Sequence, residues 1–287
     1  MSELHEPVLR WYDANARDLP WRGDVADPWA VMVSEFMLQQ TPVARVLPVF
    51  ETWMATWPTP TALAEAPSGD AVRAWGRLGY PRRALRLHAA SVAIRDRHGG
   101  RVPGDYAELI ALPGVGDYTA SAIASFAYGA RHAVLDTNVR RVLARVVSGV
   151  ELPPASVTRA ERDLVESLLP EEAPAAWAVA TMELGALVCT ASRPACDRCP
   201  VSSACAWRQA GFPSYDGPAR RGQTWAGTDR QVRGRLLAVL REAEGSVPRS
   251  RLDAVWHDAV QRERALQSLL TDGLVVRTAP GDYSLPG

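Results

Sequence analysis

Apolar residues recur every three to four positions along most of this chain, which is the spacing of an amphipathic helix. Strand-like alternation is nearly absent before residue 270, and glycine or proline separates the helical stretches. We therefore predict an all-α body. Five stretches follow the helical spacing clearly: 30–41, 85–98, 117–129, 138–147 and 175–188.

The last quarter of the chain has a different pattern. Residues 211–228 are rich in glycine, proline and arginine and lack a periodic apolar face, which predicts a linker. Three short helical stretches follow within 229–273, and residues 274–285 form two strand-like segments around an Ala-Pro-Gly-Asp turn. Three helices and a hairpin indicate a small winged-helix-like α+β domain over 229–287.

Composition excludes disorder, since 47% of the residues are hydrophobic and 22% are charged. The first residues include several acids and no apolar leader, and no apolar run is long enough to cross a bilayer, so we expect a cytoplasmic protein with no membrane partner. The formal charge of zero hides a basic stretch, because residues 72–101 contain eight arginines and one acid, Asp96. A polyanionic partner therefore remains open. The chain contains no lysine, so all its 32 basic residues are arginine.

A short turn, ALPGVGDYTASAI at residues 111–123, separates two helical stretches. Gly114 and Gly116 leave backbone N–H groups uncovered at the start of the second helix, and such a turn can bind an anion such as a phosphate. A simple helix–helix corner in which glycine caps the first helix explains the same motif about as well.

All four cysteines fall within residues 189–205, with the spacing C-x6-C-x2-C-x5-C. Structural disulfides are disfavoured in a chain without a secretory signal, so the four thiols predict one metal centre. Four thiolates suit a tetrahedral zinc ion and a 4Fe-4S cluster equally well. The ligands would be Cys189, Cys196, Cys199 and Cys205.

Several motifs in the same order resemble a known superfamily. The glycine turn, the stretch HAVLDTNVRRVLARV and the cysteine pattern resemble the helix-hairpin-helix base-excision glycosylases related to endonuclease III. Within that superfamily, LPWR (19–22), VSEFMLQQTPV (33–43) and LGYPRRALRLH (78–88) resemble the MutY-type adenine DNA glycosylases. The resemblance extends from about residue 7 to residue 208.

The resemblance implies a two-lobed all-α fold with a DNA-binding cleft between the lobes. Residues 1–28 and 136–210 would form a lobe that holds an iron-sulfur cluster of the 4Fe-4S type rather than zinc. Residues 29–135 would form a six-helix barrel that contains the helix-hairpin-helix. The linker and the winged-helix-like domain would follow.

Cleaving adenine from deoxyribose needs an acid for the departing purine and a negative charge for the sugar cation, and two carboxylates can divide that work. Glu35 lies inside the apolar stretch VMVSEFML, where burial would raise its pKa, although a surface glutamate is the ordinary alternative. Asp136 precedes a helix, where N-capping alone would explain it. The resemblance implies that Glu35 protonates adenine, that Asp136 stabilises the cation, and that Tyr118 and Asn138 hydrogen-bond around them.

The resemblance also implies a set of DNA contacts. Gln40 and Tyr80 would intercalate, and Thr41 would contact the base opposite adenine. The hairpin glycines would lie along the phosphates, while LPWR and the following helix would line the base pocket. The arginines of the 78–88 motif would lie along phosphate nearby, although a solvated surface is the ordinary alternative for an arginine run. The residues are Gln40, Thr41, Tyr80, Gly114, Gly116, Arg82, Arg83 and Arg86 for DNA, and Trp21, Arg22 and Leu38 for the base.

Bifunctional relatives use a lysine at the position of Tyr118 to attack the sugar, and this chain has none. We therefore predict a monofunctional, monomeric glycosylase that removes adenine opposite 8-oxoguanine or guanine in double-stranded DNA. Two departures from the family pattern are Ala178 and Val179, where Asn and Gln or Glu are usual, and the short last domain. In that domain Arg262 and Arg264 would lie on a recognition helix, and a protein-interaction or merely structural module is an equal alternative. A thymine glycosylase for G:T mismatches and a non-catalytic iron-sulfur redox sensor are the alternatives.

Overall fold

The computed structural model describes residues 3–23, 27–217 and 225–287. Contacts between Cα atoms divide the chain into two compact units. The first unit comprises Met1–Glu35, Gly104–Ala111 and Val115–Pro218, and the second comprises Phe36–Pro103, Leu112–Gly114 and Ala219–Gly287. The central part of the predicted linker, residues 218–224, lies outside the described residues, as do residues 1–2 and 24–26.

Helices dominate, as predicted, and the all-α class with a small C-terminal α+β part is confirmed. The described chain also contains a short 3₁₀ helix at Cys196–Arg198. The helices are α1 (His5–Asn15), α2 (Pro28–Leu38), α3 (Val43–Thr56), α4 (Pro60–Glu65), α5 (Ser68–Trp75), α6 (Arg82–His98), α7 (Tyr106–Ile110), α8 (Asp117–Tyr128), α9 (Thr137–Val146), α10 (Arg159–Ser167), α11 (Pro174–Leu187), α12 (Ala206–Gln209), α13 (Asp229–Glu242), α14 (Arg249–Asp253) and α15 (Ala259–Thr271). The strands are β1 (Val247–Pro248), β2 (Val276–Ala279) and β3 (Asp282–Ser284).

The first unit is held together by α11, which packs against α1, α8 and α9. Its core includes Trp177 and Leu184 of α11 and Val142 and Val146 of α9, all at most 5% exposed. Side-chain caps fix where the helices start: the Asp105 carboxylate accepts from two N–H groups of α7, and Thr158 with Glu161 forms a capping box on α10.

The second unit contains α3–α6 and the C-terminal domain. Trp53 and Trp75 are fully buried and stack edge to face, with ring centroids 5.7 Å apart. In the C-terminal domain, α13 packs on α15, and β3 lies between β1 and β2 in an antiparallel sheet, with Tyr283 opposite both Val247 and Arg277. The order helix, strand, two helices and hairpin confirms the winged-helix-like pattern.

The C-terminal domain is docked on α5 within this unit. The Gly69 N–H donates to the Pro286 carbonyl at 2.8 Å, and the Arg73 guanidinium donates to the carbonyls of Arg241 and Ala243, each at 3.1 Å. Sequence patterns do not contain these contacts, because they join residues about 170 to 220 positions apart. The two compact units do not coincide with the domains predicted from the sequence, which are 1–28 with 136–210, 29–135 and 229–287. Those domain boundaries stay a prediction.

We expect Gly69→Ala to destabilise the chain, although alanine normally favours a helix over glycine by about 1 kcal/mol. A Cβ atom at Gly69 would lie 2.3 Å from the Pro286 carbonyl oxygen, so the docked domain must shift, at a cost of about 1–3 kcal/mol. The measurement is the thermal midpoint of the full chain. Gly245→Ala is the matched control, because a Cβ there meets nothing within 4 Å, and an equal midpoint for both variants would contradict the docking contact.

Within the described residues, no helix has both the length and the apolar character needed to cross a membrane.

Candidate active site and cysteine pocket

Glu35 is buried in the middle of α2, with its residue only 6% exposed. Its neighbours on the helix, Val33, Phe36 and Met37, are fully buried, so its surroundings on α2 are largely apolar. Burial raises the pKa of Glu35 to about 7, and the negative charge of Asp136 acts in the same direction. A hydrogen bond with Tyr118 and the charge of Arg22 oppose the rise. Glu35 can therefore hold a proton near neutral pH.

Asp136 is the N-cap of α9. One carboxylate oxygen accepts from the Val139 N–H at 2.6 Å, and the other accepts from the Asn138 side-chain amide at 2.7 Å. Burial raises the pKa of Asp136, while the hydrogen bonds from Val139 and Asn138 act against the rise. The carboxyl groups of Glu35 and Asp136 are therefore both buried and close enough for the charge of Asp136 to act on Glu35, and they have different hydrogen-bond partners.

Asn138 is fixed from two sides. Its side-chain oxygen accepts from the Arg141 guanidinium at 2.8 Å, and Arg141 also donates to the carbonyls of Gly185 and Cys189 at 2.6 and 2.7 Å. A Cβ at Gly185 would lie 2.7 Å from the Asn138 Cβ, so α11 needs glycine here to approach α9. Asn138 and, through it, Asp136 are held by a packed and hydrogen-bonded frame.

Tyr118 lies in the first turn of α8 and hydrogen-bonds Glu35. Burial, together with the charges of Glu35 and Asp136, raises the pKa of Tyr118 well above its usual value, so its hydroxyl stays neutral. Its ring packs on a cluster that includes the buried Ala178. Val179 is half-buried.

The predicted base-pocket residues Trp21 and Arg22 also lie in the first unit. Trp21 is 7% exposed. Arg22 donates to Glu183 at 3.0 Å, and Arg17 donates to the same carboxylate at 2.7 Å through two nitrogens. These arginines lower the pKa of Glu183 to about 2, against the effect of burial. Nη1 of Arg22 is buried and has no hydrogen-bond partner among the residues that the structure describes.

The remaining predicted DNA contacts lie in the second unit, except Gly116, which belongs to the first. Gln40 and Tyr80 are exposed non-glycine residues with left-handed backbones, at φ 55° and 48°. Such a conformation costs about 1–3 kcal/mol per residue and is typical of functional loops. Leu38 is half-buried at the end of α2. Gly114 has φ 78°, and a Cβ there would lie 2.6 Å from the Arg86 Cβ, so only glycine fits. Gly116 is the exposed N-cap of α8.

The structure differs from the sequence prediction at Arg83. We predicted a phosphate contact, but Arg83 is 5% exposed, and burial lowers its pKa to about 10. Its guanidinium hydrogen-bonds both the end of α2 and the turn before α6. Thr41, which we predicted to contact the opposite base, is also buried and accepts one of these hydrogen bonds. Arg83 donates at 2.6–3.1 Å to the carbonyls of Phe36, Met37, Gln39 and Gly79 and to the Thr41 hydroxyl.

Four cysteines line one pocket of the first unit together with Arg145 and Trp207. All four thiols are free. The Arg145 guanidinium is buried, stacks on the Trp207 ring at 4.7 Å, and donates to Cys189 Sγ at 3.4 Å. Burial raises the pKa of Cys199 to about 11. No three His, Cys, Asp or Glu side chains in the described ranges are arranged to hold a single metal ion.

Comparison with known proteins identifies the family of the chain. Residues 33–167 match the family model described as HhH-GPD superfamily base excision DNA repair protein. An adenine DNA glycosylase of Mycobacterium tuberculosis (strain CDC 1551 / Oshkosh) is 55% identical over 98% of this chain and 92% of the relative. An adenine DNA glycosylase of Mycolicibacterium smegmatis is 54% identical over 100% of this chain and 97% of the relative. The chain belongs to the adenine DNA glycosylases of the HhH-GPD superfamily.

The resemblance drawn from the motifs is thereby confirmed. The match to the Mycolicibacterium smegmatis adenine DNA glycosylase covers the whole chain, so it includes the winged-helix-like domain. A solved structure of a thermostable thymine-DNA glycosylase superposes with a TM-score of 0.64 at 25% identity, over 71% of this chain and 94% of that one.

The sequence analysis did not identify the arginines whose hydrogen bonds hold residues around the site of this adenine DNA glycosylase. Arg141 and Arg145 are four positions apart on α9, so they lie on one helix face, where they hold the segment that contains Cys189. The available signal was the pair of arginines at i and i+4 among the apolar residues of α9. Glu183 and Arg17 were missed because their pairing joins residues 166 positions apart.

Proposed function

We propose that this chain is a monofunctional adenine DNA glycosylase that hydrolyses the N-glycosidic bond of adenine opposite 8-oxoguanine or guanine. The observation that carries the proposal is the pair of buried carboxyl groups, Glu35 with a pKa near 7 and Asp136 beside it. Relatives at 54–55% identity that are named adenine DNA glycosylase support the choice of base. The alternatives of a thymine glycosylase and a non-catalytic redox sensor are not favoured.

In the proposed reaction, protonated Glu35 gives its proton to N7 of the flipped adenine as the bond between N9 and C1′ breaks. The electron pair of that bond leaves with adenine, and positive charge develops on the sugar. The Asp136 carboxylate stabilises this charge, which is worth most where water is excluded. Water then adds its oxygen to C1′, and its proton passes to a carboxylate.

The absence of lysine supports hydrolysis by water. A bifunctional enzyme needs a side-chain amine that attacks C1′ and forms a Schiff base. The residue that hydrogen-bonds Glu35 is Tyr118, whose hydroxyl stays neutral. The product is therefore an intact strand with an abasic site, which breaks only when alkali is added.

We further propose that Gln40 and Tyr80 fill the space of the flipped base and that Trp21, Arg22 and Leu38 surround the adenine. The strained backbones of Gln40 and Tyr80 support the first assignment. The unpaired buried Nη1 of Arg22 supports the second, because a buried donor without a partner favours a bound acceptor. The protein would act as a monomer on double-stranded DNA.

The cysteine pocket fits a 4Fe-4S cluster by its donor set, since four free thiols line one space beside a buried cation. Cys189, Cys196, Cys199 and Cys205 would hold it. Burial raises the pKa of the Cys199 thiol to about 11, and a bound metal cation would favour its thiolate form. The cluster would supply a rigid link between α11 and α12, close to the Arg141 and Arg145 contacts.

We expect the purified protein to be brown, with about four iron atoms per chain. Elemental analysis of iron and zinc together with the visible absorption spectrum measures this. A colourless protein with one zinc ion per chain would show that the pocket is a zinc site instead.

The proposed function is tested with three duplexes that carry adenine opposite 8-oxoguanine, adenine opposite guanine, or a G:T mismatch. Released bases are separated and quantified under single-turnover conditions. We expect free adenine from the first two duplexes and no thymine from the third. Thymine release without adenine release would refute the proposal.

A further inference from the structure

A groove of ≈1080 Å³ lies within the second unit, between the turns around α6 and the helix α13 of the C-terminal domain. Residues from the segments 39–45 and 76–86 form one wall, and Trp225 with one face of α13 forms the other. Among the described residues that line it there are nine arginines and no acid. The arginines are Arg45, Arg77, Arg82, Arg83, Arg86, Arg230, Arg233, Arg235 and Arg241.

Several of these arginines have no carboxylate of their own to neutralise their charge. Arg82 and Arg233 share one carboxylate, that of Asp272. Arg77, Arg86 and Arg230 are exposed, and within the described part of the chain none of them forms a salt bridge. Like charges gathered around one groove repel each other, and a polyanion in the groove removes that repulsion.

The arginines of α15, the expected recognition helix, are instead paired with other residues of the same domain. Arg262 donates to Asp253 at 2.9 Å and to the Trp256 carbonyl at 2.6 Å. Arg264 forms two hydrogen bonds with Asp229, and that pairing lowers the pKa of Asp229 to about 2. The sequence prediction that Arg262 and Arg264 read DNA is therefore not supported by their contacts. Among the arginines of the C-terminal domain that line the groove, Arg230 of α13 is exposed and forms no salt bridge with a described residue.

The groove also includes Tyr80, which we propose as an intercalating residue. The Arg230 guanidinium lies over the Tyr80 ring, 5.1 Å from its centroid, and Tyr80 is 43% exposed. The C-terminal domain thus reaches the point at which the duplex would be opened. A phosphate backbone that passes Tyr80 would lie between the two arginine-lined walls.

We propose that this groove binds the sugar-phosphate backbone of duplex DNA and that α13, through Arg230 and its neighbours, is the DNA-binding helix of the C-terminal domain. The proposal rests on the proposed function only in taking DNA as the polyanion.

The test measures the affinity of the Glu35→Gln chain for a duplex with adenine opposite 8-oxoguanine at several salt concentrations, so that the substrate stays intact. In this background we compare Arg77→Gln/Arg230→Gln with the parent. Each lost phosphate contact reduces the slope of log K against log salt by about 0.9, so we expect the double variant to lose about 1.8 and to bind more weakly.

Two further variants control for charge and folding. Arg230→Lys with Arg77 intact keeps both positive charges and should retain the parent slope. Arg251→Gln removes an exposed arginine of the same domain outside the groove and should also leave the slope unchanged. An unchanged slope in the double variant, or an equal loss in Arg251→Gln, would overturn the proposal. Failure of adenine release by the unmodified chain would refute the proposed function separately.

Discussion

Glu35→Gln is expected to slow adenine release by about 10²–10⁴-fold, the usual contribution of a positioned general acid. Glutamine has nearly the same shape as glutamic acid and can accept the hydrogen bond of Tyr118, but it has no proton to give to the departing purine. The measurement is the single-turnover rate constant with saturating enzyme. A rate within about threefold of the unmodified chain would show that another group supplies the proton.

The same variant has a stability signature that shows it is folded. Burial raises the pKa of Glu35 from 4.5 to about 7, so the folded state binds this proton more tightly than the unfolded state. The stability that the protonated carboxyl gives is present below pH 4.5 and is lost as the pH rises towards about 7. The thermal midpoint of Glu35→Gln should therefore exceed that of the unmodified chain at about pH 8 and approach it at about pH 5. Lost activity with a raised midpoint excludes unfolding as the cause.

Asp136→Asn is expected to lower the rate by about 10²–10³-fold, because a neutral amide cannot stabilise the developing positive charge on the sugar. Asparagine is a good N-cap, so α9 keeps its start. One local contact is lost, since the new amide nitrogen would face the Asn138 amide, and Asn138 cannot rotate without losing its bond to Arg141. We expect a destabilisation of about 1–3 kcal/mol from that unpaired donor.

The double variant Asp136→Asn/Asn138→Asp separates charge from hydrogen bonding. Its carboxylate at position 138 can accept from the amide at 136 and from Arg141, so the thermal midpoint should recover. The rate should stay low, because the negative charge has moved away from the sugar. Recovery of the rate together with the midpoint would show that Asp136 acts only by ordering α9.

Part of this site could be predicted from the sequence because the signals are local. The run VMVSEFML predicts a buried Glu35, and an aspartate just before TNVRRVL predicts an N-cap, and both features are present. The spacing of the four cysteines predicts that they lie together, and they line one pocket. Their roles in catalysis and cluster binding stay predictions.

The rest depends on contacts that no local pattern contains. Arg83 and Arg264 have the same sequence appearance as a free surface arginine, yet they hydrogen-bond a carbonyl 47 positions away and a carboxylate 35 positions away. The docking of the last domain through Gly69 and Pro286 is a backbone contact, and it turns α13 rather than α15 towards Tyr80. Packing of distant segments decided both outcomes.

The most direct test of acid catalysis by Glu35 is the pH dependence of adenine release under single-turnover conditions, from about pH 5.5 to about pH 9. Because only the protonated carboxyl donates, the rate constant should be level below about pH 7 and fall about tenfold per pH unit above it, as the pKa of Glu35 near 7 requires. A rate constant that stays level through pH 8.5 or rises across neutral pH would contradict the account.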